Sequence, residues 1–226
     1  MMLRVCGLLI LLQAVGPLCR AADAEYQIKP VAKLPSGLSQ AVAATLNPSG
    51  MRLVGPEGGV FEIWLAKSIA VKSGFKPTLN AYYPFAAGQL IGALRILDAS
   101  QFTDFRGQEF SAGVYTLRYG MQPEDGNHIG TSELADFLLA LPAKIDRKPA
   151  LIARPDQLAG RSAKSVGSTH PAILSLLPQS QVKKSGTLTH DADHEYWILD
   201  LLGQGVAGKK ATTVKLRLVA IGRSLE

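Results

Sequence analysis

The stretch Gly113-Val114-Tyr115-Thr116-Leu117-Arg118-Tyr119-Gly120 decides the fold class of this chain. Its side chains at 115, 117 and 119 are large and apolar, and they alternate with Thr116 and Arg118. A period of two is typical of a β-strand with one buried face. Aromatic and β-branched residues, which favour strands, occupy four of its eight positions. The stretch therefore predicts a strand over residues 114–119.

The same alternation recurs on both sides of this stretch. It predicts four further strands, over residues 60–65, 90–97, 196–202 and 214–221. Glycines mark the expected strand ends, among them Gly203, Gly205 and Gly208. The sequence has no helix of the length and spacing that a parallel βαβ crossover requires. We therefore expect a mainly β fold, an antiparallel β-sandwich or a jelly-roll-like architecture.

Single charged residues lie inside these predicted strands, namely Glu62, Arg95, Arg118 and Asp200. An antiparallel sheet commonly packs one face on the core and exposes the other to water. We therefore expect the four side chains on an outward-facing surface, where they pair with one another. On this interpretation they form no catalytic pair of carboxylates.

The chain between residues 121 and 190 departs from the strand pattern. Ser132 can cap a short helix over 133–141, because four apolar side chains fall on one side of it. Asp156 can cap a second short helix that runs towards Lys164. Long excursions in compact domains are often functional. We therefore expect short helices here, and we look for a specific site in this excursion.

The first 24 residues have the character of a signal peptide. Arg4 precedes an apolar run over 5–18, and Ala22-Asp23-Ala24 matches the pattern that signal peptidase reads. A membrane-spanning helix needs roughly 20 apolar residues, and this run is shorter. A retained N-terminal anchor and lipoprotein processing at Cys19 remain alternatives. We expect a periplasmic or secreted protein with no membrane span.

Removal of residues 1–24 leaves an N-terminal segment, 25–48, and a single β-sandwich-like domain, 49–226. Both cysteines leave with the signal peptide, so we expect no disulfide in the mature chain. Two arginines and one aspartate also leave, which lowers the formal charge from +6 to +5. A mildly basic exported protein suits weak attraction to anionic wall polymers, although a solvated, lysine-rich surface explains the same charge.

Basic residues gather in one stretch of the excursion. Base stacking needs aromatic side chains, and this stretch has none, so we expect no nucleic-acid partner. The basic residues of the stretch are Lys144, Arg147, Lys148, Arg154, Arg161 and Lys164.

Several motifs resemble a family of uncharacterised exported bacterial proteins, typical of planctomycete-like bacteria. They are FEIWLAK at 61–67, FTDFRG at 102–107, GVYTLRYG at 113–120, QPEDGNH at 122–128 and THPA at 169–172. The resemblance covers most of the mature chain. It implies export, and it assigns no catalytic residue.

The densest cluster of metal-ligand side chains is His190, Asp191, Asp193 and His194. Imidazole is the commonest protein ligand for transition metals. The flanking residues alternate as strands do, which places the cluster at a hairpin tip where the two imidazoles could lie across from each other. The alternative is a polar, solvated turn.

A second candidate site combines His128 with Asp125 and Asn127, and a further candidate is His170 in the sequence Thr-His-Pro. A loop histidine near a helix start could bind a ligand. The alternative is that Asp125 and Asn127 bond turn backbone and His128 bonds locally. A Ser-His-Asp set drawn from Ser132, His128 and Asp125 lacks any recognisable nucleophile motif, so we predict no catalytic residue.

Two functional hypotheses follow from these residues. The first is a non-catalytic exported module, without a cofactor, that binds a cell-envelope protein, a polymer or a small ligand. The second is an exported protein that binds a divalent transition metal through its histidines, either as a binding protein or as an enzyme.

Export can be tested on protein recovered from the periplasm or the medium. Because the A-x-A pattern ends at Ala24, the mature chain should begin at or near Glu25 and contain no thiol. Intact-mass analysis measures both properties. Retention of residues 1–24 in a membrane fraction would refute the signal-peptide interpretation.

Overall fold

The structure is a computed structural model, and it describes residues 26–78, 81–122, 134–179 and 182–224. Strands dominate these ranges. In chain order the elements are β1 (Gln27–Val31), α1 (Gln40–Ala43), β2 (Gly50–Gly55), β3 (Gly58–Leu65), β4 (Ile69–Ala70), β5 (Leu90–Ile96), β6 (Gly113–Met121), β7 (Asp136–Pro142), α2 (Pro155–Ala163), β8 (Ile173–Ser175), β9 (Thr187–Asp191), β10 (Tyr196–Ala207) and β11 (Lys210–Ile221).

The strands form two sheets, and the predicted mainly β, sandwich-like fold is confirmed. The large sheet has the order β1-β2-β3-β5-β6-β7-β8, and all its neighbours are antiparallel. In the second sheet β10 pairs with β11 on one edge and with β9 and the short parallel strand β4 on the other. No helix in the described ranges is long and apolar enough to cross a membrane.

The large sheet curls towards the second sheet at β8. Leu176 forms a bridge with Leu218 of β11, and the Leu177 N–H donates a 2.8 Å hydrogen bond to the Arg217 carbonyl. The two sheets enclose the main core between them, because alternate side chains of each strand point inward. These inward side chains include Phe61, Ile63, Leu94, Leu117, Leu199, Leu201, Leu216 and Leu218.

The outer face of the large sheet is also covered. Ser39 caps α1 by accepting a 3.2 Å hydrogen bond from the Val42 N–H, and its Oγ donates to the Arg147 carbonyl in the loop before α2. Helix α2 packs on β7, where Leu158 joins a buried cluster with Leu139 and others. Helix α2 and the loop before it thus form a third layer over the outer face of the large sheet.

The structure corrects the expected exposure of the strand charges. Glu62 is 1 % exposed, Arg118 0 % and Asp200 8 %, so three of the four residues are buried. Only Arg95 keeps a substantially exposed side chain, and it forms an ion pair with Glu62 as expected. The expectation was wrong because it assumed that one face of every sheet meets water.

The predicted helix over 133–141 is also wrong. Residues 136–142 form β7, which pairs with β6 along its whole length. Leu138 faces the main core, whereas Leu139 and Leu141 face α2. A strand buried on both faces has a continuous apolar run. Such a run also contains apolar residues at helical spacing, which is why it was interpreted as a helix. Ser132, the proposed cap, lies outside the described residues.

The second predicted helix exists as α2, but its cap differs. Arg154 occupies the N-cap position, Pro155 begins the helix, and Asp156 lies in its first turn. Proline suits this position because the first N–H groups of a helix have no partner within it. The helix ends at Ala163 with Lys164 as its C-cap, close to the predicted end.

Strands β10 and β11 extend further than predicted, and Gly203 and Gly205 lie inside β10 rather than at its end. A Cβ at Gly205 would lie 2.8 Å from Val214 Cγ2 and 3.3 Å from the Ile69 carbonyl oxygen. Glycine is therefore required by the close approach of β4 and β11. Gly208 lies in the turn, as expected.

Asp200 is an incompletely satisfied buried charge. Its Oδ1 lies 3.7 Å from Arg217 Nε, and in the described part of the chain neither atom has a hydrogen-bond partner. Burial raises the pKa of Asp200 above its ordinary value of 3.8, and the Arg217 charge only partly opposes that shift.

The raised pKa predicts how stability depends on pH. The folded state holds the Asp200 proton more tightly than the unfolded chain, so this carboxyl destabilises the fold as pH rises above 3.8. Urea unfolding should show Asp200→Asn gaining stability relative to the wild type with rising pH. Asp98→Asn is the control, because hydrogen bonds from Ser100 and Gln101 lower the pKa of Asp98. The same trend for both variants would contradict this assignment.

Candidate functional site

The histidine-containing candidate residues do not form one site. Asp125, Asn127 and His128 lie outside the described residues. His170 is exposed in the turns after α2, where its N–H donates a 3.1 Å hydrogen bond to Ser168 Oγ. The structure therefore places His170 in a solvated turn, and among the described residues it belongs to no group of three His, Cys, Asp or Glu side chains that could hold a metal ion.

The predicted hairpin tip at 190–194 exists between β9 and β10. The His190 ring stacks on Trp197 with centroids 4.7 Å apart, and its Nε2 lies 3.6 Å from Glu195 Oε2. The His194 ring instead stacks on Tyr196. Because neighbouring residues of a strand point to opposite faces, the two imidazoles contact opposite sides of β10.

The carboxylates of this tip bond locally. Asp191 Oδ2 lies 3.0 Å from His194 Nδ1, and Asp191 Oδ1 accepts a 3.1 Å hydrogen bond from the Asp193 N–H. Desolvation acts to raise the pKa of Asp191, but its hydrogen bonds and the His194 charge lower it overall. Across residues 26–78, 81–122, 134–179 and 182–224, no three His, Cys, Asp or Glu side chains are grouped to hold a metal ion.

Three surface cavities share one chemical property, which is that every charged residue lining them is a lysine. A cavity of about 290 Å³ is lined by Lys72 and Lys215, and one of about 440 Å³ by Lys67. A third, of about 340 Å³, lies between Lys144 and Lys164. Lysine-lined cavities favour anionic ligands over cationic ones.

Net positive charge is concentrated in the third layer. Residues 142–165 carry six lysines and arginines against two aspartates, a net charge of +4, whereas residues 25–226 together carry +5. This stretch comprises α2 and the loop before it, and both cover the outer face of the large sheet. The rest of the chain is therefore almost neutral.

Neither aspartate of the stretch neutralises the exposed cations. Asp156 pairs with its neighbour Arg154, and Asp146 is buried inside the fold. Five basic side chains have no carboxylate within 4.0 Å in the described part of the chain. We call these five the basic face: Lys144, Arg147, Lys148, Arg161 and Lys164.

Arg118 of β6 holds the loop that carries three of these cations. Its Nε and Nη2 donate to the Asp146 carboxylate at 2.7 and 3.0 Å. Nη1 also donates to the Gly88 and Ala150 carbonyls, and Nη2 to the Lys148 carbonyl at 2.6 Å. All five guanidinium N–H groups are therefore used. We call this set of hydrogen bonds the Arg118 clamp.

The Arg118 clamp has an electrostatic as well as a geometric effect. Thr116 Oγ1 donates a further 2.5 Å hydrogen bond to Asp146, whose side chain is 2 % exposed. The one aspartate of the loop is thus neutralised within the protein. Lys144, Arg147 and Lys148 then remain outside without a compensating charge, on a backbone that is held in place.

A cleft lies between Lys144 and Lys164, two residues of the basic face. Both lysines are exposed, and they come from different elements, the end of β7 and the end of α2. The other lining residues are small, apolar or hydroxyl-bearing: Gly37, Ser111, Ala112, Gly113, Val114, Tyr115, Pro142, Ala143 and Ser165. The arrangement can attract an anion and contact the organic group attached to it.

The sequence contained the basic residues of this face but not their arrangement. Their clustering was visible, and a solvated surface explained it equally well. Arg118 was assigned to an exposed surface, so the clamp was missed. One sequence signal pointed to the clamp: Arg118 is a lone charge between two apolar residues of a predicted strand. A charge that is buried in such a strand requires a partner.

A comparison with protein-family models, with curated proteins and with solved structures finds no match to this chain.

The Arg118 clamp makes a prediction about stability. Arg118→Met removes one partner of a buried ion pair and leaves Asp146 as an unpaired charge, which should cost about 3–5 kcal/mol of unfolding free energy. The matched control is Arg154→Met, because the Arg154–Asp156 pair joins the same residue types with side chains 67 % and 64 % exposed. Chemical denaturation measures both variants. Equal, small effects would show that the clamp contributes nothing.

Proposed function

We propose that this chain is an exported, non-catalytic binding module that binds an anionic polymer of the cell envelope through its basic face. The observation that carries the proposal is the segregation of charge, with +4 of the net +5 on residues 142–165. A polymer with repeated negative charges contacts several cations at once. Each contact releases counterions, which favours binding.

The hydrogen bonds of the third layer support this proposal. A surface that is already ordered loses less conformational entropy when a ligand binds. The loop of the basic face is ordered by the Arg118 clamp and by the bond from Ser39 Oγ to the Arg147 carbonyl, at 2.6 Å. Helix α2 is ordered by the packing of Leu158 against β7. The cations of both parts therefore have fixed backbone positions.

The cavity linings agree with binding. The three cavities offer ammonium groups, hydroxyl groups, amides and apolar contacts, with lysine as the charged residue in each. These are groups that hold and orient an anionic ligand. The Asp146 carboxylate already accepts hydrogen bonds from Thr116 and Arg118 inside the fold, so it does not repel an anion from the surface.

Export is the part of this proposal that depends on sequence alone. It is supported by the signal-peptide pattern of residues 1–24 and by the resemblance to exported bacterial proteins. An exported protein would meet the anionic polymers of the envelope, which makes the basic face and the export signal consistent with each other.

Binding to a polyanion tests the function directly. Fluorescence anisotropy with labelled long-chain polyphosphate should show binding that weakens as salt increases. Arg147→Glu/Lys148→Glu should lower the affinity by about tenfold or more, because it reverses two charges of the basic face.

The matched control reverses two lysines elsewhere. Lys209→Glu/Lys210→Glu changes the total charge by the same amount, at the exposed end of the hairpin between β10 and β11, where Lys209 lies in the turn and Lys210 begins β11. This control should retain most of the affinity. Equal losses in the two variants would show that net charge, and not the basic face, causes binding. Absence of binding by the wild type would refute the proposed function.

A further inference from the structure

We propose that the cleft between Lys144 and Lys164 is a phosphate subsite, and that the anionic groups of the polymer are therefore phosphates attached to an organic backbone. This inference rests on the proposed function and adds the chemical class of the ligand. It is carried by the lining of the cleft, which combines two ammonium groups with an apolar and hydroxyl-bearing floor.

The floor of the cleft is built from groups whose positions are fixed. Tyr115 is 4 % exposed, and its hydroxyl donates a 2.7 Å hydrogen bond to the Ser111 carbonyl. Ser165 is 5 % exposed, and its Oγ donates to the Ala140 carbonyl at 2.8 Å. The Ala143 N–H bonds the Val114 carbonyl across the end of the sheet. The floor is therefore rigid, whereas the two lysine side chains above it can adapt to a ligand.

The two lysines favour a phosphate over a carboxylate. An ammonium group is a compact point charge that binds phosphate well, without the planar match that arginine offers to a carboxylate. Lys144 and Lys164 both line the cleft and no acidic residue does, so the lining leaves two positive charges uncompensated. A phosphate monoester carries about 1.5 to 2 negative charges on a single centre at neutral pH, whereas one carboxylate carries a single charge, so the phosphate balances the two ammonium groups more closely.

The apolar part of the lining indicates what accompanies the phosphate. A cavity of about 340 Å³ is much larger than a single phosphate, and Ala112, Val114, Pro142 and Ala143 supply apolar contact. Such contact suits the carbon atoms of a glycerol or sugar unit. The buried ring of Tyr115 presents no exposed face for stacking, so the lining offers nothing for a nucleic-acid base.

A small probe separates the cleft from the rest of the basic face. We expect titration of the purified protein with glycerol phosphate to shift amide NMR signals at Gly113 and Ser165, which line the cleft. Lys144→Gln/Lys164→Gln should weaken this binding by about tenfold or more, because two charge-assisted hydrogen bonds are lost. The matched variant Lys209→Gln/Lys210→Gln removes two exposed charges outside the basic face and outside the lining of the cleft. It should change the affinity by about twofold at most at physiological salt.

Three outcomes would overturn the phosphate subsite. They are the absence of localised shifts, equal losses in the two variants, and equally tight binding of succinate, a dicarboxylate of similar charge. The proposed function is judged separately by the binding of polyphosphate. Polyphosphate binding without localised glycerol phosphate shifts removes the subsite and leaves the basic face. Glycerol phosphate binding in the cleft without polyphosphate binding retains the subsite and removes the proposed function.

Discussion

The ion pair between Arg118 and Asp146 is the constraint on which the outer layer of this protein depends. A charge buried in a β-sheet is unfavourable unless it is paired and fully hydrogen-bonded, and Arg118 meets both conditions. Its remaining N–H groups bond carbonyls of two separate loops, including Gly88 and Lys148. One side chain therefore fixes the loop before α2 against the large sheet. The same pair removes the negative charge of Asp146 from the surface, which leaves the exposed cations uncompensated.

The strands with one apolar face could be predicted from the sequence, because period-two alternation is a local property. The stretch at 113–120 and its counterparts at 60–65 and 196–202 are strands in the structure. β7 could not be predicted in this way, since both its faces are buried and its apolar residues form a continuous run. Arg118 is buried because a loop that is distant in sequence covers it. The sequence of β6 alone does not show that this loop packs there.

The candidate site shows the same division between local and distant information. The hairpin at 190–194 was predicted from the alternation beside it, but the positions of its two imidazoles depend on which aromatic ring each one contacts. The basic residues were visible as a cluster in the sequence. Their common surface arises only when α2 and the preceding loop dock on one face of the large sheet. The cleft likewise joins Lys144 and Lys164, which are separated by a whole helix in the chain.

The central claim is that the Arg118 clamp presents the basic face in a form that binds polyanions. The double variant Arg118→Met/Asp146→Leu tests it most directly, since it removes one positive and one negative charge and leaves the net charge and all five cations of the basic face unchanged. Apolar replacement of a buried ion pair is often tolerated, so circular dichroism should still show a folded β protein. The account predicts a severalfold loss of polyphosphate affinity, because the loop must then be ordered on binding. Unchanged affinity in the folded double variant would contradict it.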